Sequence, residues 1–222
     1  MSQPVPEEGQ VILIDKPLQW TSFDVVKKLR YKLKIKKIGH AGTLDPLATG
    51  LLIVCTAKKT KTINTIQDQP KEYTGTMVLG KTTPSYDLET PIEEGGDISS
   101  ITKEHLLSLI PQFVGQVEQV PPIYSAIKIN GERAYKKARK GEKIEIKSRI
   151  ITINSFELTE INLPEVKFKV NCSKGTYIRT LAHDFGKAAG VGAYLSELRR
   201  TKIGDYSVND ALSIDEVSNE GL

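Results

Sequence analysis

Apolar and polar positions divide the chain into short strands and a few amphipathic helices. Val166, Phe168 and Val170 alternate with Lys167 and Lys169, which is the period of a strand with one solvated face. Apolar runs and alternation predict strands at 11–14, 51–55, 73–79, 124–129, 143–147, 150–158, 166–172 and 203–208. Helical spacing predicts helices at 22–33, 103–110, 134–139 and 178–189.

The order of these elements predicts the fold class. Strands come in unequal groups with short connections, which favours an α+β architecture over a doubly wound parallel sheet. A length of 222 residues allows one domain or two small ones, and the chain has no internal repeat or low-complexity linker. The polar segments 82–96 and 119–122 are expected to be exposed loops.

The predicted helix at 22–33 carries a basic face. Its apolar residues recur at helical spacing, and Thr21 or Ser22 can cap its start. Between positions 27 and 37 there is no acidic residue, and the basic ones are Lys27, Lys28, Arg30, Lys32, Lys34, Lys36 and Lys37. A solvated face is the common explanation, but smaller basic groups recur at 58–61, 133–140 and 199–202. A polyphosphate partner accounts for all four groups.

The composition is that of a folded soluble protein, with 39% hydrophobic and 26% charged residues. Cys55 and Cys172 lie far apart without metal-ligand spacing, so neither a disulfide framework nor a zinc site is indicated. Two isolated cysteines without a disulfide framework are typical of a protein in the reducing cytoplasm. The start of the chain carries Glu7 and Glu8 in place of a basic leader, and the apolar run 11–14 is too short to span a bilayer. Nothing therefore indicates export or membrane insertion.

One nucleotide-binding pattern is present in the wrong context. Residues 75–82 match the P-loop pattern GxxxxGK[ST], which needs a strand before its first glycine and a helix at its lysine. Here the β-prone residues Met77, Val78 and Leu79 occupy the loop positions, and Pro84 discourages the helix. The context therefore argues against the alternative of a P-loop NTPase, which ATP hydrolysis by the purified protein would support.

The segment from Gly39 to Leu51 frames a single carboxylate, Asp45, just before an apolar run. Pro46 biases Asp45 away from helical backbone angles, and the neighbouring glycines let the main chain approach a ligand closely. Asp-Pro beside glycines is also an ordinary turn signal. The local pattern alone therefore leaves a catalytic carboxylate and a simple turn both open.

Several long motifs, in order along nearly the whole chain, carry a family resemblance. They are Asp15-Lys16-Pro17, the 39–50 loop, the segment 71–75 around Tyr73, the segment 122–128, the segment 172–180 and Leu198-Arg199-Arg200. Together they resemble the TruB family of pseudouridine synthases, bacterial enzymes that isomerise uridine 55 in the TΨC loop of tRNA. The segment 45–50 is more similar to this bacterial branch than to the guide-RNA-dependent dyskerin branch.

The resemblance implies three catalytic residues. Asp45 corresponds to the family's catalytic aspartate, a nucleophile or base at the sugar as the N-glycosidic bond opens. Arg179 corresponds to an arginine that holds this carboxylate ionised through a charge-assisted pair, although it could instead bind phosphate. Tyr177 takes the position of a tyrosine suited to removing the proton from carbon 5. Because the isomerisation involves no redox change, group donor or hydrolysis, no cofactor and no metal are expected.

Four further residues are implied to bind the RNA. Tyr73 corresponds to a tyrosine that stacks on the extruded base, and Leu198 to an apolar residue that closes the pocket; both could equally be core residues. His40 matches a histidine that enters the RNA loop where the flipped base had been. Lys16 is expected to be structural or to face a phosphate.

At the level of the whole chain, the resemblance implies the pseudouridine synthase fold, with a mixed, mostly antiparallel central sheet, flanking helices and a catalytic cleft. It implies one catalytic domain over 1–222, with a thumb-like RNA-binding segment at 121–147. The chain is expected to depart from many relatives in lacking a C-terminal PUA domain, because the sequence leaves no room for one. The partner would be tRNA, bound through its T arm by a monomer with no obligate protein partner. A noncatalytic RNA-binding module is the alternative, since it explains the lysines and aromatics equally well without requiring Asp45.

Overall fold

A computed structural model describes residues 8–125, 127–129, 131–142 and 145–218. The strands are β1 (Val11–Lys16), β2 (Ile38–Ala41), β3 (Ala48–Thr56), β4 (Lys71–Leu79), β5 (Lys81–Thr82), β6 (Glu93–Glu94), β7 (Gly115–Gln119), β8 (Lys128–Ile129), β9 (Glu132–Arg133), β10 (Arg149–Asn162), β11 (Glu165–Cys172), β12 (Ala193–Ile203) and β13 (Tyr206–Ser207). The α-helices are α1 (Ser22–Lys32), α2 (Ile63–Asp68), α3 (Lys103–Leu109), α4 (Ala134–Arg139) and α5 (Ile178–Ala188).

The chain divides into two compact units. The first contains Met1–Thr74 and Glu197–Leu222, and the second contains Gly75–Ser196. Strands β4 and β12 each contribute residues to both units. The single catalytic domain expected over 1–222 stays a prediction.

In the first unit, strands follow the order β1-β3-β12-β4, with β2 paired to β3 and β13 paired to β12. Strands β1 and β2 run antiparallel to β3, whereas β12 runs parallel to it and sets Leu198 opposite Ala48. The sheet is therefore mixed and mostly antiparallel. This pairing sets the family-matching Leu198-Arg199-Arg200 segment beside the start of β3, next to the Asp45 loop.

Helix α1 forms because its sequence both caps its start and buries one face. Thr21 and Asp24 form a capping box, which satisfies free backbone N–H groups of the first turn. Val25, Val26 and Leu29 pack in a buried cluster that also contains strand residues. The apolar face of α1 is thus committed to the core, and its basic face is left outside.

In the second unit, the strand order is β12-β4-β11-β10-β7, and β10 runs antiparallel to both of its neighbours. Its core contains an aromatic cluster whose ring centroids lie 5.5–6.2 Å apart in tilted or edge-to-face pairs: Phe113, Phe156, Phe168 and Phe185. Phe185 belongs to α5, so this cluster anchors the helix whose first turn carries Arg179.

The α+β class with a mixed, mostly antiparallel sheet and flanking helices is confirmed. The P-loop alternative is wrong, because residues 75–79 lie within β4 and no helix begins at Lys81. The predicted strand at 203–208 is also wrong. Ile203 ends β12 and Tyr206 begins β13, and Gly204 with Asp205 forms the turn of a hairpin.

Four other expectations need correction or lie partly outside the described residues. The strand predicted at 124–129 is limited to β8, with residue 126 not described. Of the strand predicted at 143–147, residues 145–147 are not in a strand, and 143–144 lie outside the described residues. The segments 82–96 and 119–122 are not simply exposed loops, because each contains buried residues: Thr83, Ser85, Asp87, Gln119, Pro121 and Pro122.

Both cysteines are fully buried, Cys55 on β3 and Cys172 on β11, and neither forms a disulfide. Burial raises the pKa of the Cys55 thiol above its usual value, because a thiolate is poorly solvated there. In the described part of the chain, every helix is too short or too polar to cross a membrane.

Candidate functional site

Asp45 lies in the loop between β2 and β3, which we call the Asp45 loop (residues 42–47). Its side chain is half-buried. The loop closes as a turn, since the backbone N–H of Ala48 donates to the carbonyl oxygen of Asp45 at 3.0 Å. A carboxylate is thus held at the start of a fully buried strand segment, where a change in backbone conformation would disturb the core.

Hydrogen bonds from neighbouring elements fix both sides of Asp45. The buried Ser22 hydroxyl, at the start of α1, accepts from the N–H of Leu44 at 2.9 Å and donates to its carbonyl oxygen at 3.2 Å. On the other side, the carbonyl oxygen of Pro46 accepts from the Gln19 N–H at 2.8 Å. The position of the carboxylate is therefore set by bonds to the main chain before any ligand binds.

Arg200 on β12 joins the first residue of the same loop to the strand that follows it, β3. Its side chain is 1% exposed, and it donates to the carbonyl oxygens of Leu51 and Gly42, both at 2.8 Å. Gly50 is the Cα partner of Arg200 and has φ +97°, where a side chain would collide with the Arg200 carbonyl oxygen. The glycine thus permits the close approach that lets Arg200 reach the loop.

Lys16 ends β1 with a side chain that is 0% exposed. Its ammonium donates to the carbonyl oxygens of Pro17 at 2.9 Å, Trp20 at 2.6 Å and Pro46 at 3.4 Å. Burial lowers the pKa of Lys16 to about 8 despite the opposing charge of Asp45, and Arg200 lowers it further. Of the two expected roles, these contacts favour the structural one over the phosphate-facing one.

His40 lies on β2, opposite Val54 of β3, with a half-buried side chain. Burial, and secondarily the charge of Arg200, lower the pKa of His40, so the ring is neutral at neutral pH. Its buried Nδ1 forms no hydrogen bond with any residue that the structure describes. A neutral ring suits contact with a nucleobase better than contact with a phosphate.

The two apolar candidates differ in exposure. Tyr73 on β4 is 8% exposed, and Leu198 on β12 is half-buried. Thr49 donates to the Leu198 carbonyl oxygen at 3.4 Å, so β12 holds Leu198 beside the strand that follows the Asp45 loop. The first unit therefore brings Asp45, Lys16 and Arg200 together, with Leu198 on the adjoining strand.

Tyr177 caps the start of α5 in the second unit, where the buried Gln119 fixes its backbone. The Tyr177 N–H donates to Gln119 Oε1 at 2.8 Å, and Gln119 Nε2 donates back to the Tyr177 carbonyl oxygen at 3.1 Å. The Arg149 guanidinium lies 4.8 Å from the centre of the Tyr177 ring and donates to the Gly175 carbonyl oxygen. The phenol is thereby placed beside a positive charge.

Arg179 follows two residues later and is 3% exposed. It donates to the carbonyl oxygens of Ser85 at 3.2 Å and Tyr124 at 3.0 Å, and its Nε lies 3.5 Å from Oδ2 of the buried Asp87. An arginine that is desolvated in this way needs negative oxygens around it. The expected pair between Asp45 and Arg179 joins residues of different units and stays a prediction.

Asp87 and Arg200 were not singled out by the sequence reasoning. Asp87 sits in a polar Ser/Thr/Pro segment that is typical of an exposed loop, and its arginine partner is 92 positions away. Arg200 belongs to a segment that matched the family, but nothing local indicates that it is buried. Only the family match itself could have drawn attention to it.

The described residues contain no cluster of three or more histidine, cysteine, aspartate or glutamate side chains that could hold a metal ion. The chemical groups that are assembled are one carboxylate beside cations in the first unit and, in the second, a tyrosine beside the half-buried Arg149 and a buried pair of Arg179 with Asp87.

Two family models match the chain. The model described as "TruB family pseudouridylate synthase (N terminal domain)" matches residues 30–178. The model described as "tRNA pseudouridylate synthase B C-terminal domain" matches residues 179–221.

Curated relatives are similar over almost their full length. The chain is 58% identical to tRNA pseudouridine synthase B of Flavobacterium johnsoniae, over 93% of this chain and 93% of that protein. It is 52% identical to tRNA pseudouridine synthase B of Phocaeicola vulgatus, over 94% of this chain and 92% of that protein.

Solved structures share the fold. The chain superimposes with TM-score 0.71 and 29% identity on a chain of an H/ACA ribonucleoprotein bound to a substrate RNA containing 2′-deoxyuridine. It superimposes with TM-score 0.70 and 33% identity on a chain of a Cbf5-Nop10-Gar1 complex. These matches cover 95% and 90% of this chain, which spans about half of each solved chain, 52% and 50%.

Proposed function

We propose, since the chain belongs to the TruB family of pseudouridylate synthases, that it isomerises uridine 55 in the TΨC loop of tRNA to pseudouridine. Two curated relatives that are 58% and 52% identical carry the name tRNA pseudouridine synthase B. The observation that carries the chemical part of the proposal is Asp45, the family-matching carboxylate in a loop held by Ser22, Lys16 and Arg200.

The reaction breaks the bond between N1 of uracil and C1′ of ribose and forms a bond between C5 and C1′. The uracil turns in place, C5 loses a proton, and N1 gains one, so the atoms balance without a second substrate. Asp45 is the group that acts on the nucleoside as the glycosidic bond opens, and its negative charge stabilises the positive charge that develops on the sugar. Fixed backbone bonds around the loop reduce the reorganisation that this step requires.

Arg179 and Tyr177 are the proposed partners of Asp45. Arg179 forms a charge-assisted pair with the carboxylate, and Asp87 with the Ser85 and Tyr124 carbonyl groups holds the guanidinium in place. Tyr177 removes the C5 proton after the base has turned, and the Arg149 guanidinium lies 4.8 Å from the centre of its ring. No cofactor and no metal take part in this scheme.

The target base has to leave the RNA stack, which costs a few kcal/mol. Tyr73 offsets part of this cost by stacking on the extruded base, at about 1–3 kcal/mol. Leu198 closes the apolar side of the pocket, and His40 enters the RNA loop where the base had been. Lys16 contributes by holding Pro46, the residue after Asp45.

The partner in this proposal is the T arm of tRNA, bound by a monomer without an obligate protein partner. The thumb-like segment at 121–147 adds affinity through its exposed lysines. We place the reaction in the cytoplasm, where buried free thiols such as Cys55 stay reduced.

Replacing Asp45 by Asn tests the proposal directly. The amide has the same shape but no negative charge, so we expect pseudouridine formation in an unmodified tRNA transcript to be abolished while tRNA binding persists. The product is mapped by position, and binding is measured by filter retention. Asp205→Asn, at an exposed loop position, is the matched control and should keep full activity.

A noncatalytic RNA-binding module is the second candidate, since the basic groups and aromatics do not require Asp45. In that case the unmodified chain binds tRNA and forms no pseudouridine. Pseudouridine formed at a uridine other than 55 would contradict the proposed target position. Turnover retained by Asp45→Asn would contradict the catalytic assignment of this carboxylate.

A further inference from the structure

The outer side of α1 forms one wall of an open groove in the first unit, which we call the α1 groove. Its volume is about 1270 Å³, and it is also lined by the segment that follows the helix and by Asp215. The cations that line it are Lys27, Lys28, Arg30, Lys32, Lys34 and Lys36. Among the described residues, only two carboxylates line the same groove, Asp24 and Asp215.

Most of this positive charge is not neutralised within the protein. Asp24 accepts from the Thr21 N–H and hydroxyl as part of the capping box. Lys32 donates to the carbonyl oxygens of Ile214 and Asp215. The side chains of the other five cations form no ion pair or hydrogen bond with any described residue, and all five are exposed: Lys27, Lys28, Arg30, Lys34 and Lys36.

Helix stability does not explain this charge. Cations in the last turn of a helix interact favourably with its dipole, which accounts for Arg30 and Lys32. It does not account for Lys27 and Lys28 in the middle of α1, or for Lys36 beyond its end. Like charges at this density repel one another, so an anionic partner would relieve a cost that the free protein carries.

Aromatic surface lies within the same groove. Tyr31 is 87% exposed, which is unusual for a large ring, and Trp20 lies half-buried in the lining. Rings interleaved with cations are typical of surfaces that bind nucleic acid, where the cations contact phosphates and the rings contact bases or sugars. A merely solvated helix face needs the charges but not the rings.

The groove fits RNA better than a membrane surface. An amphipathic helix binds a bilayer by burying its apolar face in it, but the apolar face of α1 is already packed in the core through Val25, Val26 and Leu29. The basic segment runs on along the chain to His40, which is proposed to contact the RNA loop.

We propose that the α1 groove binds the sugar–phosphate backbone of the substrate tRNA at a segment other than the target loop, with Tyr31 stacked on an accessible base. This inference rests on the proposed function for the identity of the RNA. The groove supplies affinity through phosphate contacts, and Tyr31 supplies a contact that does not depend on charge.

The test compares tRNA affinity at several salt concentrations. The variant Lys28→Gln, Lys34→Gln, Lys36→Gln removes three groove cations, and the control Lys81→Gln, Lys103→Gln, Lys187→Gln removes three exposed cations elsewhere. We expect the groove variant to bind unmodified tRNA about tenfold or more weakly, with a log Kd versus log salt slope reduced by about 0.7–0.9 for each phosphate that the variant no longer neutralises. The control should keep the affinity and slope of the unmodified protein.

Tyr31 gives a second, independent measurement. Since the ring is exposed, Tyr31→Ala should fold normally and bind tRNA about fivefold or more weakly with an unchanged salt slope, whereas Tyr31→Phe should retain affinity. Equal affinity of the three-lysine variant and the unmodified protein at every salt concentration would overturn the proposal. So would lysine-dependent binding to phosphatidylserine vesicles combined with unchanged tRNA affinity.

Failure of the proposed function would be visible separately. Product mapping with the unmodified chain is done in parallel. Absence of pseudouridine would refute the proposed activity, while the affinity data would still show whether the α1 groove binds tRNA. Normal product formation together with an unchanged groove variant would refute the groove alone.

Discussion

Tyr73 carries two separable properties, an aromatic ring and a hydroxyl group. If the ring stacks on the extruded base, Tyr73→Phe should remain close to the unmodified protein. Tyr73→Leu should lower kcat/KM for tRNA by about 5- to 150-fold, the equivalent of one base–aromatic contact. Single-turnover assays on an unmodified transcript measure this difference.

The control for Tyr73 is Tyr194→Leu in the second unit, because the two tyrosines are similarly buried, at 8% and 7% exposure. Urea unfolding of both leucine variants separates the effect of packing from the effect of stacking. Equal activity losses in Tyr73→Phe and Tyr73→Leu would assign the role to the hydroxyl and contradict stacking.

Lys16 makes a prediction about pH and stability. Its pKa is about 8 in the folded protein and near 10.5 when exposed, so between these pH values the unfolded chain binds more protons than the folded one. The free energy of unfolding should therefore rise with pH across this window, by up to about 3 kcal/mol from this residue. Below pH 8 both states are protonated, and the cost of the buried charge is constant.

The measurement is the difference in unfolding free energy between the unmodified protein and Lys16→Met from pH 7 to 10.5. Methionine keeps the length and removes the charge, so other titrating groups cancel in the difference. Lys37→Met, at an exposed position, is the control and should give a flat difference. A flat difference for Lys16→Met would show that the lysine is protonated alike in both states.

Strand β12 links the sheet to the Asp45 loop through Arg200. A lysine has one ammonium and cannot reproduce two bonds from separate guanidinium nitrogens. Arg200→Lys should therefore lower the free energy of unfolding by about 1–3 kcal/mol. It should also slow pseudouridine formation about tenfold at saturating tRNA, because Gly42 at the start of the Asp45 loop is no longer joined to β3.

Arg199→Lys is the matched control on the same strand. Arg199 pairs with Asp15 at 2.7 and 2.9 Å, but the pair is partly exposed, so its loss should cost less than about 1 kcal/mol. If both arginine variants keep full activity in folded protein, the positioning role of Arg200 is wrong.

Elements with a strong local pattern could be predicted from the sequence. The bounds predicted for α1, α4 and α5 agree with the structure to within a residue at each end, and α1 also has a capping box that marks its start. Strand β12 could not be predicted, since charges interrupt its apolar alternation from Glu197 onward. It is a strand because of pairing with residues about 150 positions away, which no local pattern encodes.

The same distinction applies to the candidate site. The glycines and proline around Asp45 left a simple turn and a catalytic carboxylate both open, and the resemblance of its segment to the family motif identified it as a candidate. Asp87 was not, because its burial follows from Arg179, which is distant in sequence and lies on a helix. A catalytic candidate such as Asp45 is thus easier to find from the sequence than a supporting residue such as Asp87. The role of Asp87 depends on its tertiary contact with Arg179.

Binding of tRNA by the whole molecule should depend strongly on salt. The thumb-like segment contributes exposed lysines in the second unit, among them Lys136 and Lys140, and Lys140 is paired with Glu132 at 3.0 Å. We expect the double variant Lys136→Gln, Lys140→Gln to weaken tRNA binding and to reduce the salt slope by about 0.7–0.9 per phosphate that is no longer neutralised. The effect should fall on affinity more than on the rate at saturating tRNA.

Lys81→Gln, Lys103→Gln is the control pair for the thumb lysines and should leave affinity and slope unchanged. A slope that is identical in the thumb variant and the unmodified protein would show that these lysines do not contact phosphates. A reduced rate at saturating tRNA with unchanged affinity would give them a catalytic role instead.

The buried cysteines have a practical consequence for such experiments. Maleimide reagents attack accessible thiolates, whereas Cys55 and Cys172 are sealed in the sheet, and Cys55 resists ionisation. A cysteine introduced at an exposed position on α1 should therefore be the one site that takes up a fluorophore in the folded protein. Binding of RNA along that helix could then be followed by fluorescence without first removing either native thiol.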